Sequence, residues 1–171
     1  MNILSAWLRA YLPRLDASDR QLADDLTLRG IAVEGVFDVT SPVGGSLFET
    51  DITTNRVDAM NHYGIAREAA AIYGLTLAPL DTKLPEAKPG SGHVVQIEAP
   101  EACGRFTARI LRNVKIGPSQ GIVAERFAAL GQKLILNAVD ASNYVLLGMG
   151  HPTHAFDLDK IEGGIDRKSD V

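Results

Sequence analysis

Two histidines and two aspartates crowd one short stretch, His151, His154, Asp157 and Asp159. Imidazole with carboxylate is the usual metal-ligating set when thiolates are absent, but the spacing argues against that use. Histidines at i and i+3 face one ion only on a helix, and Pro152 beside Gly150 makes this stretch extended or turned. The reading is therefore no metal site. A nucleophilic triad is disfavoured as well, since no Ser or Cys sits in a Gly-x-Ser-x-Gly elbow between strand and helix. Neither Gly-x-Gly-x-x-Gly nor Gly-Lys-Ser/Thr occurs, so no cofactor or nucleotide is expected on this chain.

A second polar constellation is Thr53-Thr54-Asn55-Arg56-Val57-Asp58, a turn that feeds Gly64-Ile65-Ala66-Arg67-Glu68 and the alanines after it. Asn55 and Asp58 are of the type that caps and braces a turn. Arg67 and Glu68 are adjacent and point to different parts of a helix surface, so each is better placed to brace the loop than to pair with the other.

The elements that must hold these residues follow from periodicity. Leu4, Trp7, Leu8, Tyr11 and Leu12 recur at helical spacing, so the first dozen residues read as an amphipathic helix that Pro13 ends. Ser18 with Gln21 has the form of a capping box for a second helix through Leu22, Leu26 and Leu28, terminated at Gly30. A strand is expected over Ile31–Phe37, a loop over 40–46, and a second strand over Phe48–Thr54. Asp58 is expected to cap a helix running through Ile65, Ala69 and Ile72 to Gly74, and the stripe of Trp7, Leu8 and Tyr11 to pack on that helix at Ile65 and Ala69. Prolines, glycines and mixed charge between Leu77 and Gly92 mark a linker, with a boundary near Lys88. Beyond it, His93–Glu98 and Arg105–Val114 suit an antiparallel pair of strands. Ser119 is expected to cap a helix ending at Gly131, and Asp140 or Ser142 to start another that Gly148 and Gly150 stop. The tail from Gly163 has the composition of a further strand.

The chain has 171 residues, 46% hydrophobic and 22% charged, as in an ordinary folded protein of one or two modules. A net charge of −4 argues against a protein that grips nucleic acid by blanket phosphate neutralisation. Any such contact must be local. No apolar run approaches the roughly 20 residues that span a bilayer, and the start lacks the basic head of a signal peptide; no membrane contact and a cytoplasmic location are expected. The single cysteine, Cys103, forms no internal disulfide and reads as a small apolar side chain.

Four segments, taken in order, resemble the bacterial phenylalanyl-tRNA synthetase beta subunit. They are Leu4–Leu12, Leu26–Val36, Ile52–Asp58 with its Gly-Ile-Ala-Arg-Glu helix, and Val139–Val145 with Pro152-Thr153-His154-Ala155-Phe156-Asp157. The resemblance implies an α+β chain: a small helix-and-strand amino-terminal domain with its linker over residues 1–88, then the first part of an editing domain over 89–171. It implies that His154 orients a mischarged ester or a hydrolytic water, and that Lys133, Asn143 and Asp157 contact substrate or tRNA; for Asn143 and Asp157, bracing of a loop is the competing reading. Lys133 stands where an arginine is common, and Gly148 where glutamate is frequent. Between Val39 and Phe48 a short loop replaces the oligonucleotide-binding barrel of the family, and the chain stops within the editing module. A fragment or a shortened form is expected, inactive alone, with the alpha subunit and phenylalanine tRNA as partners and with ATP and Mg bound only in the complete enzyme. Two rivals are a free-standing hydrolase of mischarged tRNA that uses the same His154, and a non-enzymatic interaction module. The latter needs Arg9, Arg14, Arg20 and Arg29 to converge, although Asp16, Asp19, Asp24 and Asp25 dilute them.

Overall fold

The computed structural model describes residues 1–84, 86, 95–161 and 165–167, the last three by backbone alone. It is α+β, and its contacts divide it into two units: Met1–Asp81 with Ile116–His154, and Thr82–Lys115 with Ala155–Val171. Lys88, where a boundary is expected, lies outside the described residues. Residues 116–154 join the amino-terminal unit because that unit presents an aromatic surface on which they are seated.

The first unit begins with strand β1 (Asn2–Leu4), which continues directly into helix α1 (Ser5–Tyr11). Residues 2–4 are thus not the start of the helix that their spacing suggested. Ile3 and Leu4 are fully buried as strand residues, with β1 antiparallel to β3 (Ser46–Asp51). Helix α2 (Asp19–Leu28) starts where expected, the Ser18 hydroxyl accepting from Gln21 N–H. Strand β2 (Ala32–Asp38) completes a sheet in the order β1-β3-β2, all antiparallel, with a bulge between Val33 and Gly35. That bulge accounts for the imperfect alternation in the sequence.

Helix α3 (His62–Tyr73) crosses the unit and ends in the left-handed Gly74. Its cap is Asn61, whose side-chain oxygen accepts from Gly64 N–H at 2.7 Å, rather than Asp58. Asp58 instead lies in a single 3₁₀ turn, Val57–Ala59. A Cβ at Gly64 would lie 2.0 Å from the Asp58 carbonyl oxygen, so only glycine lets the turn fold this closely on the helix start. Leu8, Leu12, Leu22, Leu26, Phe48, Ile65 and Ala69 form the main core between sheet and helices. Trp7 leaves that core. It belongs to a second cluster with Leu4 and Leu130, and Tyr144 and Leu147 pack on it.

Helices α4 (Gly121–Ala129) and α5 (Asn137–Met149) supply those partners. Ser119 does not cap α4; its hydroxyl donates to the Asp140 carboxylate at 2.7 Å, a buried charge that needs donors. Helix α5 starts three residues before Asp140 and passes through Gly148, so Gly148 is no stop; Gly150, in the left-handed region, is the cap.

One interaction joins β1, α3 and α5. His62 is fully buried; its Nε2 accepts from Leu4 N–H at 3.0 Å, and its Nδ1 lies 2.8 Å from the Leu147 carbonyl. Because Nε2 is an acceptor, the proton of the neutral ring sits on Nδ1 and is donated to Leu147. Trp7 stacks on His62 with ring centroids 4.1 Å apart, and on Tyr144 at 4.5 Å. The Arg126 guanidinium lies 4.5 Å from the Trp7 ring centroid and donates to the Tyr144 hydroxyl. Burial, with the Arg126 charge adding to it, lowers the His62 pKa from 6.5 to about 4.

In the second unit, β4 (Val95–Ile97) pairs in parallel with β5 (Ile165–Arg167). The antiparallel pairing with Arg105–Val114 does not form. Parallel strands need a crossover of a dozen or more residues, which the intervening chain provides. Residues 105–114 carry no strand: Leu111 and Val114 are exposed, so no face is buried, and Asn113 at φ 58° interrupts any extended run. His93 and Val94 lie outside the described residues.

Three outcomes are expected. Trp7→Ala should cost about 3–5 kcal/mol, as for a fully buried aromatic, read from the denaturant midpoint; a small shift would place Trp7 at the surface. Gly148→Ala should destabilise although it favours a helix by about 1 kcal/mol, because the new Cβ would meet Trp7 Cζ2 at 2.9 Å and overpacking costs about 1–3 kcal/mol. The sign of its melting-temperature shift decides. His62 is neutral when folded down to pH about 4 but charges near 6.5 when unfolded. Its contribution is therefore whole above pH about 6.5 and lost as pH falls to about 4, at up to ~1.4 kcal/mol per unit. Stability measured across that window should fall in the wild type, and His62→Gln should flatten the fall; parallel curves would refute a buried neutral ring.

Candidate functional site

The polar turn before α3 is a braced structure. Arg56 binds Asp58 through Nε and Nη2 at 3.0 and 3.1 Å and reaches Glu68 at 2.6 Å, while Arg67 donates to Asp58 at 2.9 Å. Arg67 and Glu68 thus both fasten the loop to the helix and not to each other. The hydrogen bond from Arg56 holds the Asp58 carboxyl below its usual range, and Asp58 with Glu68 raises the Arg56 guanidinium further above its own. These groups are substantially exposed, so the network fixes geometry more than it adds stability. Every charge in it is answered by another, which leaves it poorly suited to hold a ligand.

Helix α5 organises a different set. Asp140, near its start, is fully buried, and its two oxygens accept from Ile135 N–H at 2.9 Å and Ser119 O–H at 2.7 Å. The main chain adds a bond from Asn137 N–H to the Gly117 carbonyl at 2.9 Å. The segment between α4 and α5 is thereby tied to the helix, and Lys133 stands exposed on it. One turn further, the Ser142 hydroxyl bonds the Thr153 carbonyl at 2.7 Å and the Thr153 hydroxyl at 2.8 Å. The chain after Gly150 is thus folded back along α5, with His154 exposed at its end. Asn143 lies half-buried on the helix between these two attachments. Lys133, Asn143 and His154 therefore share one carrier, α5, although they are ten or more residues apart in sequence.

Asp157 belongs to the other unit. It accepts from Asp159 N–H at 3.2 Å and pairs with Lys160 at 3.6 Å, capping the turn Leu158–Lys160. These are local contacts of an exposed carboxylate. Among the described residues no three of His, Cys, Asp and Glu gather as a metal-binding group. His151 is exposed. No helix of the described residues is long and apolar enough to cross a membrane.

Sequence reasoning missed His62, Arg126 and the roles of Asp140 and Ser142. His62 opens α3 beside the alanines of an apolar face, which would have marked it as a core histidine; nothing local reveals that its partners lie 58 and 85 residues away. Tyr144 shares that position: burial raises its hydroxyl pKa, so it remains a neutral phenol under Arg126. Of the four arginines that an interaction module would need, Arg9 is bound to Asp19 at 2.7 Å and Arg20 lies 3.7 Å from Asp24. The Arg9 charge is met within the fold, whereas the Arg20–Asp24 pair lies at the surface.

Comparison with known proteins assigns residues 102–170 to the B3/4 domain family, the part of the chain that holds Lys133, Asn143, His154 and Asp157. A phenylalanine–tRNA ligase beta subunit of Anaeromyxobacter dehalogenans is 48% identical over 119 residues, covering 68% of this chain and 15% of that protein. The Carboxydothermus hydrogenoformans beta subunit is 42% identical over 115 residues, covering 67% and 14%. The Rhodopirellula baltica beta subunit is 36% identical over 160 residues, covering 92% of this chain and 23% of its own length. The chain thus spans about a seventh to a quarter of these relatives. A match of this strength, carried through the braced amino-terminal turn and into the α5 site, means that the chain belongs to the phenylalanine–tRNA ligase beta-subunit family.

Proposed function

We propose that this chain supports aminoacylation of phenylalanine tRNA within an alpha–beta assembly and contributes part of a site that edits tyrosine mischarged onto that tRNA. The family match over residues 102–170 carries the reading, because it contains every candidate residue. The hydroxyl clamp of Ser142 on Thr153 supports it: an imidazole must be held within hydrogen-bonding reach of its target to act on an ester or a water, and a segment pinned to a helix meets that need.

In this reading His154 orients the ester or the attacking water. Lys133 meets the tRNA terminus as a point charge in place of a planar fork, and Asn143 supplies a neutral donor and acceptor beside it. Asp157 shapes the turn that follows. Activation of phenylalanine with ATP and Mg is assigned to the alpha subunit, and no residue of this chain is assigned to either. A cytoplasmic location accords with this work in translation.

Isolated, the chain should hydrolyse tyrosyl-tRNA no faster than buffer does, since it spans a minor share of its relatives. Grafted in place of the matching residues of a phenylalanine–tRNA ligase beta subunit and assembled with the alpha subunit, it should sustain phenylalanylation. In that assembly His154→Ala should slow tyrosyl-tRNA deacylation by on the order of 10²-fold, the scale of a positioned acid–base group, with phenylalanylation kept. Multiple turnovers by the isolated chain that His154→Ala abolishes would replace this reading with the free-standing hydrolase.

A further inference from the structure

From Ala102 to Ala124 the chain has four cations, Arg105, Arg109, Arg112 and Lys115, and no acidic residue. This stretch sits in a chain whose net charge is −4, so the remainder is more acidic than the whole. All four side chains are exposed, and all four belong to the second unit. Several arginines elsewhere are answered within the fold: Arg9 with Asp19, Arg20 with Asp24, Arg56 with Asp58 and Glu68, Arg67 with Asp58. Among the described residues neither Arg105 nor Arg112 has an ion-pair partner.

We infer that residues 105–115 are a contact surface for the phosphate backbone of an RNA strand. The inference rests on the tRNA reading above for its choice of RNA and goes beyond it in saying where the backbone is held. A polyanion gains from such a stretch by releasing counterions, and the gain scales with the number of cations engaged. Strand formation would have tied this backbone into a sheet and turned half its side chains inward. The segment is instead without helix or strand, which leaves successive cations outward. Leu111 and Val114, 69% and 52% exposed, lie between them as apolar surface against which base faces can pack. Arginine suits this role because its planar fork matches two phosphate oxygens at once.

The test is fluorescence anisotropy with the full chain, using a labelled single-stranded oligoribonucleotide and uncharged phenylalanine tRNA, across a series of salt concentrations. For the oligonucleotide, log K should fall against log salt, with Arg105 and Arg112 supplying about 1.4 of the slope, two contacts at roughly 0.7 each. Arg105→Gln with Arg112→Gln should reduce that slope by about 1.4 and weaken binding severalfold at low salt. Arg14→Gln with Arg20→Gln changes the net charge equally and should leave both unchanged; circular dichroism confirms that each variant is folded. Equal losses from the two pairs would show a mere net-charge effect and overturn the inference. So would undiminished binding by the Arg105/Arg112 variant, an outcome that leaves the synthetase reading standing. Failure of every RNA to bind would overturn it too, as would heparin binding in place of RNA. The synthetase reading itself falls or stands on phenylalanylation by the grafted assembly, a separate readout.

Discussion

The neutral ring of His62 holds the first unit together. Its Nε2 accepts a hydrogen bond from the Leu4 N–H and its Nδ1–H donates one to the Leu147 carbonyl, so a single side chain satisfies two main-chain groups far apart in sequence. Trp7 covers one face of the ring and is itself covered by Tyr144. Leu4 and Trp7 sit near the amino terminus, His62 at the start of α3, and Leu147 near the end of α5. The arrangement therefore seats the later helices on the earlier sheet. Its cost is a basic group kept uncharged below its ordinary pKa, with the Arg126 guanidinium opposing a second positive charge beside it.

Seating α5 in this way has a consequence for the candidate site. The helix can act as a fixed carrier only if the segments on either side of it are fastened, and two polar devices do that. Asp140, wholly buried, spends both oxygens on the stretch before the helix, while Ser142 spends its hydroxyl on the stretch after it. A buried carboxylate is costly unless its lone pairs are met. That cost makes the arrangement specific: another path for residues 117–135 would leave the charge unanswered. Lys133 and His154 ride on the two fastened segments, and Asn143 on the helix between them. The tight fit at Gly148, where a Cβ would press on Trp7 and on the Tyr11 hydroxyl, shows how closely the carrier lies on its base. A longer side chain at this position has no room in this packing.

Charge is distributed along the same lines. In the amino-terminal unit, acids and bases close on each other: Arg9 grips the loop 15–17 through the Leu15 and Ala17 carbonyls and pairs with Asp19. Burial pushes the Asp19 carboxyl up, but hydrogen bonds from Ser5, Arg9 and Ser46 outweigh it and hold the carboxyl below its usual value. Such pairs define loops and leave little field outside. The stretch 102–124 differs in containing no acidic residue of its own.

Much of the first unit was legible in the sequence because its signals are local. The Ser18 cap with Gln21, the stop of α3 at Gly74, the loop between β2 and β3 and the α+β class all depend on residues within a few positions of one another. So did the family, since ordered motifs survive without any knowledge of their contacts. Where the decisive partner was distant, local signals misled. Residues 2–4 fall within the first dozen residues expected to be helical, yet pairing with β3 makes them a strand. Ser119 looks like a cap and serves the carboxylate of Asp140 instead. Arg105–Val114 has strand composition but forms no strand among the described residues. A strand, a buried charge and a buried imidazole each need partners that only the folded chain brings near. The grouping of residues 116–154 with the amino-terminal unit, and the seat that α5 finds there, were therefore decided by tertiary packing around Trp7 and His62.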